Sequence, residues 1–541
     1  MQFPKGKLLG SVSRLTIRCF SLATAPPSGP LAGLRILDLS RILAGPSATM
    51  LMADMGAEVI KVEAPKSGDD TRRYAPPFLQ KAPKEDSDVA AYFSSCNRNK
   101  YSVAVDFKTK EGQDVVKHLL QNSDVLIENF KAGGLAKYGL GYDQLKDDFP
   151  QLIYCSITGF GHSGPYSKRP AYDMLIQAMG GSMSLTGEPD GAPMKTGLSL
   201  FDLTAGLHGV IGILAALNNK HNTGLGQHVD ISMLDVAVAL LANQGMNYLA
   251  KKQRQKRVGN NHPNVVPYQV MPAKDGYFIL TASNNDQFER FCKVADRMDL
   301  MQDDRFNTMK ARVVNREVVT PALNEITSQH PKLWWLEKLE GEMVGCAPIL
   351  HLDEVFADPH VQSRDMEIQM NLPGFSEPVS LIGSPMKFSR TKVDYRLPPP
   401  RVGEHTEQVL LEYGMSKEQI EDLHEIGAID NAKFEVPGVV RPLAKKKRRV
   451  VEVSDSHGAP YVFQGNTWGH ISSVSDPRIV VGIDSVEDED LTELDTFSGV
   501  LRSSIDDPIN AFLKVRGSAE DPDVGVGSSL ESFRSWKASS C

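Results

Sequence analysis

Paired cysteines are missing from this chain. Its 541 residues hold six, Cys19, Cys96, Cys155, Cys292, Cys346 and Cys541, scattered and with no clustered histidine partners. That spacing argues against a zinc site and a disulfide framework, and for reduced thiols in a cytosolic or matrix compartment. An excess of positive charge is missing too: the net charge is −8, which gives no field for a nucleic-acid partner. The longest apolar stretches, 210–217 and 236–242, are too short to cross a bilayer. No internal repeat is present. Acidic residues are absent before Asp38, while Lys5, Lys7, Arg14 and Arg18 alternate with Leu8, Leu9, Val12, Leu15, Ile17 and Phe20. A basic, serine-containing segment able to form an amphipathic helix fits a transit peptide over residues 1–30 and a mitochondrial matrix protein; the bland reading is an unstructured cytosolic N-terminus.

What remains is ordinary for a globular enzyme, 41% hydrophobic and 23% charged, and too long for one simple core. From residue 34, short β-rich runs alternate with helical ones. Strands are expected at 34–39, 58–63, 102–107, 125–130 and 152–158. A helix is expected at 46–55, and another after the third strand with Val115, Val116, Leu119 and Leu120 on one face. Strands separated by helices imply a Rossmann-like α/β fold with a mostly parallel sheet. Beyond residue 433, Lys445–Arg449 is a basic block, residues 487–490 an acidic one, and the end is rich in Ser, Gly and Asp. This tail reads as largely disordered, with a short strand at 479–481. The basic block matches a nuclear localisation signal, but solvated runs of this kind are common in tails.

Several motifs have competing uses. Gly159-Phe160-Gly161-His162-Ser163-Gly164 matches the dinucleotide fingerprint, yet Pro165 and Pro170 follow where a helix should open, so it is expected to be a glycine-rich loop with another use. Ser40–Pro46 joins the first strand to a helix, where backbone N–H groups can meet an anion or simply turn the chain. The basic runs 97–100 and 137–142 flank strands of the kind whose carboxyl ends bind phosphate-bearing ligands. Residues 251–257, ahead of Gly259–Pro263, form a basic cluster that suits a lid or a solvated helix end. Asp202 stands before a glycine-punctuated apolar helix expected at 205–217. A carboxylate there either caps the helix or serves as a covalent nucleophile toward an activated acyl group.

Taken in order, these runs resemble the class III coenzyme A transferases, the family of formyl-CoA transferase and carnitine CoA-transferase. The matching runs are 36–39 through Ala44-Gly45-Pro46, then 56–63, 97–100, 127–130, 156–161, Ala171-Tyr172-Asp173, the Asp202 segment and 223–227; together they span about residues 31–430. Within the family, runs 139–143, 155–161 and 266–269 are most similar to members that move CoA between succinate and hydroxymethylglutarate. The resemblance implies a large α/β domain over 31–225, a small domain over 226–330, and a return to the large domain over 331–432. It implies Asp202 as nucleophile. CoA contacts would fall on Leu43 and Ala44, on Val105, Asp106, Phe107 and Lys108, and on Asn129, Phe130, Lys137 and Tyr138. It further implies an acyl-CoA thioester as substrate with no permanently bound cofactor or metal, succinyl-CoA as donor, a dicarboxylate such as glutarate or hydroxymethylglutarate as acceptor, and an interlocked homodimer. Ala64 stands where formyl-CoA transferase has a phosphate-binding arginine, Pro170 where it has a lysine, and its glycine-rich lid is missing. These departures argue against oxalate or formyl specificity. An α-methylacyl-CoA racemase shares the fold but has a histidine at the position of Tyr172, a poor base at neutral pH. A catalytically silent CoA-binding protein is the reading from another class.

Overall fold

The computed structural model describes residues 28–82 and 85–430, with five short strands outside them. Those five, Leu15–Ile17, Arg449–Asp455, Pro460–Tyr461, Ile479–Asp484 and Phe512–Arg516, form a small sheet within a unit of their own. The strand expected at 479–481 is among them. Leu15–Ile17, in the segment expected to be helical, is instead paired antiparallel with Arg449–Asp455, in keeping with the β-branched Thr16 and Ile17. Apart from residues 28–30, the rest of the expected transit peptide and tail lies outside the described residues.

The second unit, residues 22–434, is built on six parallel strands: Arg35–Asp38 (β1), Glu58–Glu63 (β2), Lys100–Val105 (β3), Val125–Glu128 (β4), Ile153–Thr158 (β5) and His228–Ser232 (β6). Their spatial order is 3-2-1-4-5-6, and Ile429–Asp430 adds an antiparallel edge beside β3. Because strand side chains alternate in direction, neighbouring residues feed two separate cores. Ile36, Val59, Ile127 and Cys155 pack on one face with the helices Ala44–Asp54 (α1) and Leu200–Thr223 (α4). Leu37, Ile60, Leu126 and Tyr154 pack on the other with Lys110–Leu120 (α2), whose Val115, Val116, Leu119 and Leu120 are buried as their spacing predicts. The four described cysteines, Cys96, Cys155, Cys292 and Cys346, form no disulfide.

Two domain boundaries differ from expectation. β6 completes the large sheet although it lies past residue 226, and Val236 and Ala237 after it join the large core. Its alternating sequence, polar His228, Asp230 and Ser232 against Val229 and Ile231, is that of an edge strand covered on one face, not of the doubly buried runs before it. The smaller core spans Val266 to Val344. It is a three-stranded antiparallel sheet (Tyr268–Ala273, Gly276–Thr281, Gly345–Pro348) covered by helices that stack Phe288, Phe291 and Trp335 in series, Trp335 on Phe278. The chain then returns: Val409 and Leu410 of the helix Thr406–Glu412 are buried in the α2-side core.

α4 begins five residues before the expected start and is, among the described residues, the one helix long and apolar enough to cross a membrane. Its glycines instead bring it hard against its neighbours. A Cβ at Gly206 would lie 2.6 Å from the Ala44 carbonyl oxygen, and one at Gly209 3.0 Å from Ile157. The start of α1 and the first turns of α4 therefore touch backbone to backbone. Gly206→Ala is expected to cost about 1–3 kcal/mol of stability through overpacking, read as a lower urea midpoint at unchanged slope; an unchanged midpoint would remove this contact from the account.

Candidate functional site

In an open parallel sheet, ligands bind beyond the carboxyl ends of the strands where the winding reverses. The order 3-2-1-4-5-6 puts that reversal between β1 and β4. The two loops leaving these strands are tied together there. The Asn129 side chain accepts from the Arg41 N–H at 2.8 Å and donates to the Arg41 carbonyl at 2.6 Å. Arg41 also stacks its guanidinium over Phe130, 5.1 Å from the ring centre, and pairs with Asp70 at 3.0 Å. Leu43 and Ala44 sit directly behind, where α1 begins with no side-chain cap.

Beside this junction the structure gathers most of the residues singled out from the sequence. Phe107 meets Phe130 and Tyr138 edge-on, with ring centres 5.9 and 5.5 Å apart, and the Lys137 ammonium lies 4.7 Å from the Tyr138 ring. Phe130 is held by its N–H, which donates to the buried Glu128 carboxylate at 2.7 Å. Asp106 accepts the Lys108 N–H, turning the chain outward after β3. Val105 behaves differently: it is fully buried in the sheet core, so the neighbours 106–108, not its side chain, reach the surface.

The basic run 97–100 does not join this group. It opens β3, and its charges are spent internally: Arg98 forms a bidentate pair with Asp54, and Lys100 binds Asp38 at 3.2 Å, both cations buried. The 159–164 run is a loop as expected. Gly161 has φ +77° and no helix opens before Asp173–Met179 (α3). In the basic cluster, Arg257 donates to the carbonyls of Glu188 and Gly191.

Asp202 resolves the choice between cap and free carboxylate. It stands in the first turn of α4, not at the N-cap position, which Ser199 occupies without a side-chain capping bond. The capping carboxylate comes from α3: Asp173 accepts the N–H of Phe201 at 2.7 Å and of Asp202 at 3.2 Å. Asp173 is steadied in turn by buried Gln177, which donates to it at 2.5 Å and accepts the Thr196 N–H at 2.8 Å. The Asp202 carboxylate takes no hydrogen bond from any described residue. Burial, and then the like charge of Asp173, push it up to about 7. One helical turn on, Gly206 lies against Ala44, so the shared face of α4 turns Asp202 toward the β1–α1 loop. Tyr92, whose hydroxyl bonds Ser199, is near enough for the Asp202 charge to act on it.

Asp173, Arg41 and Tyr92 carry parts of this geometry that sequence reasoning did not assign. Asp173 and Arg41 lay within runs already noted, Ala171-Tyr172-Asp173 and Ser40–Pro46, but neither side chain carried a role. Among the described residues, no group of three or more His, Cys, Asp or Glu side chains is placed to hold a metal ion.

A strongly raised carboxyl carries a stability signature. Folding lifts Asp202 from the ordinary 3.8 to about 7. Below pH 4 both states hold the proton and the group is neutral to stability. Between pH 4 and 7 the unfolded chain ionises first, so stability is lost as pH rises, up to a limit of about 4 kcal/mol above pH 7. Asp202→Asn is therefore expected to raise the melting temperature at pH 8 and leave it unchanged at pH 4; a lowered melting temperature at pH 8 would mean that the charge is stabilised in a way this geometry does not provide.

A model of CoA-transferase family III matches residues 31–406. Succinate–glutarate CoA-transferase of Agrobacterium fabrum is 44% identical over 71% of this chain and 95% of its own length. The human succinyl-CoA:glutarate CoA-transferase is 40% identical over 71% of this chain and 86% of its own. A CAIB/BAIF family protein from Brucella suis superimposes with a TM-score of 0.63 at 45% identity, covering 71% of this chain and all of that one.

Proposed function

The chain belongs to CoA-transferase family III, and from that premise we propose that Asp202 is its acyl-accepting nucleophile, with succinyl-CoA as donor and a dicarboxylate such as glutarate or hydroxymethylglutarate as acceptor. The observation that carries the first part is a half-buried carboxylate that accepts no hydrogen bond from the described residues while a second carboxylate caps its helix. The substrate pair is favoured by two relatives whose names give succinate and glutarate.

The Asp202 carboxylate attacks the thioester carbonyl, forming a mixed anhydride and releasing CoA thiolate. The thiolate attacks the aspartyl carbonyl, freeing the donor acid and leaving an aspartyl-CoA thioester. The acceptor carboxylate attacks that thioester, giving a new anhydride and thiolate again. The thiolate then takes the acceptor acyl group and restores Asp202. Each bond broken is replaced by another activated acyl bond, so energy is kept only if water is excluded. A carboxyl raised to about 7 is a more basic nucleophile than an exposed one, and half of it is already ionised at neutral pH. Leu43, Ala44, Asn129 and Phe130 would hold the pantetheine arm, with Phe107 and Tyr138 at the base and Lys108 and Lys137 near the phosphates. Racemisation on this fold needs two bases; Tyr172, 64% exposed, is an unsuitable second one.

Two further parts of the reading concern assembly and place. α4 exposes Leu203, Leu207, Ile211 and Leu214 along one stripe, and α3 adds Met174, Leu175 and Met179. An apolar face this broad fits a homodimer. The acid-free basic N-terminal segment supports the mitochondrial matrix.

Asp202→Ala should reduce transfer from succinyl-CoA to glutarate by at least about 10³-fold while CoA still binds within about threefold; retained transfer would refute the nucleophile. A labelled-acceptor screen with succinyl-CoA tests the substrates, since label entering no dicarboxylate thioester would reject them. Leu207→Asp with Ile211→Asp should convert the sedimenting dimer to monomer, and an unchanged dimer would place the interface elsewhere.

A further inference from the structure

Ile42, one residue ahead of Leu43, has φ +70°. The left-handed region suits glycine and is a genuine outlier for a β-branched residue, so something must impose it. Three contacts do. The Ile42 N–H donates to both oxygens of Asp69 at 3.2 Å. The carbonyl of Ser40 accepts from the Lys61 ammonium at 2.9 Å. Lys61 and Asp69 pair with each other at 2.9 Å, neither side chain exposed at all. Asp69 is anchored further by the N–H and hydroxyl of Thr71 at 2.9 and 2.7 Å, and its own N–H donates to Glu63 at 2.8 Å. Burial opposes the Asp69 charge, but Lys61 and the Thr71 amide hold it down at about 2.

A buried ion pair is weak evidence for stability, because desolvation consumes most of what the pairing returns. A strained residue is a further cost to the fold. Both features instead converge on one short loop, whose next two residues begin α1 at the reversal of the sheet. We propose that Lys61 and Asp69 are positioning residues: they hold Ile42 in its left-handed conformation, and so preset the Leu43–Ala44 backbone for acyl-CoA. This rests on the reading that the loop receives acyl-CoA. The pair touches no substrate and acts through the shape of the loop.

The test is a double-mutant comparison with Ile42→Gly, since glycine takes the same φ without being forced. Lys61→Met/Asp69→Ala removes both buried charges together and so avoids stranding one of them. In the Ile42 background this pair should raise KM for succinyl-CoA at least about tenfold with kcat within about threefold; in the Ile42→Gly background the same pair should raise KM less than about threefold. An equal rise in both backgrounds, an unchanged KM, or a loss confined to melting temperature would overturn the inference. Should the pair variant not fold, Ile42→Pro carries the test, because proline cannot adopt a positive φ. It should raise KM by a similar factor, and an unchanged KM would overturn the inference. Calorimetric titration of the wild type with CoA separates the two levels: no binding would sink the functional reading itself, whereas binding indifferent to every variant would sink the positioning role alone.

Discussion

The first turn of an α-helix offers amides that a nearby carboxylate readily takes. In α4 those amides are taken by Asp173, brought in from another helix, and Asp202 beside them is thereby left unspent. The rest of the site depends on this division of labour. Had Asp202 capped its own helix, its charge would be satisfied, its carboxyl would titrate low, and its oxygens would point at backbone. Relieved of that task, it is half-buried with no donor among the described residues and close to a like charge, which raises its basicity.

The surrounding fold explains how such a group comes to lie beside the loops at the reversal of the sheet. Sheet order places the free ends of β1 and β4 together, and the Asn129 side chain locks the two loops to each other through the backbone of Arg41. Gly206 lets α4 close onto the start of α1, so the helix carrying Asp202 and the loop carrying Leu43 and Ala44 share one surface. Beneath that surface lies a layer of fully buried charges, Asp38 with Lys100 and Lys61 with Asp69. Breaking either pair would strand an ion in the interior, so the loop has little freedom to relax from the geometry it holds.

Much of this was legible from sequence, and the exceptions share physical causes. Strands buried on both faces are dense in β-branched and other apolar residues and could be read directly, as could α2 from its four-residue stripe. His228–Ser232 escaped because an edge strand alternates instead. The helix of Asp202 was found, but its true start was not, since Leu200 and Phe201 read as an apolar approach and the cap lies 29 residues upstream. Arg98 and Lys100 looked like phosphate ligands because a basic residue near a strand is judged by its charge; only the fold reveals Asp54 and Asp38 waiting for them. Conversely, Phe107, Phe130 and Tyr138, assigned through family resemblance from separate segments, do meet as one aromatic group. Ile42 gave no signal at all, since backbone strain is imposed by partners far along the chain.

The central claim is that one unpaired carboxylate carries the acyl group. Mass spectrometry of enzyme quenched after mixing with succinyl-CoA, before acceptor is added, tests it most directly. The account predicts a CoA-linked adduct on the peptide containing Asp202, lost when glutarate is supplied. An adduct on another residue, or turnover with none, would contradict it.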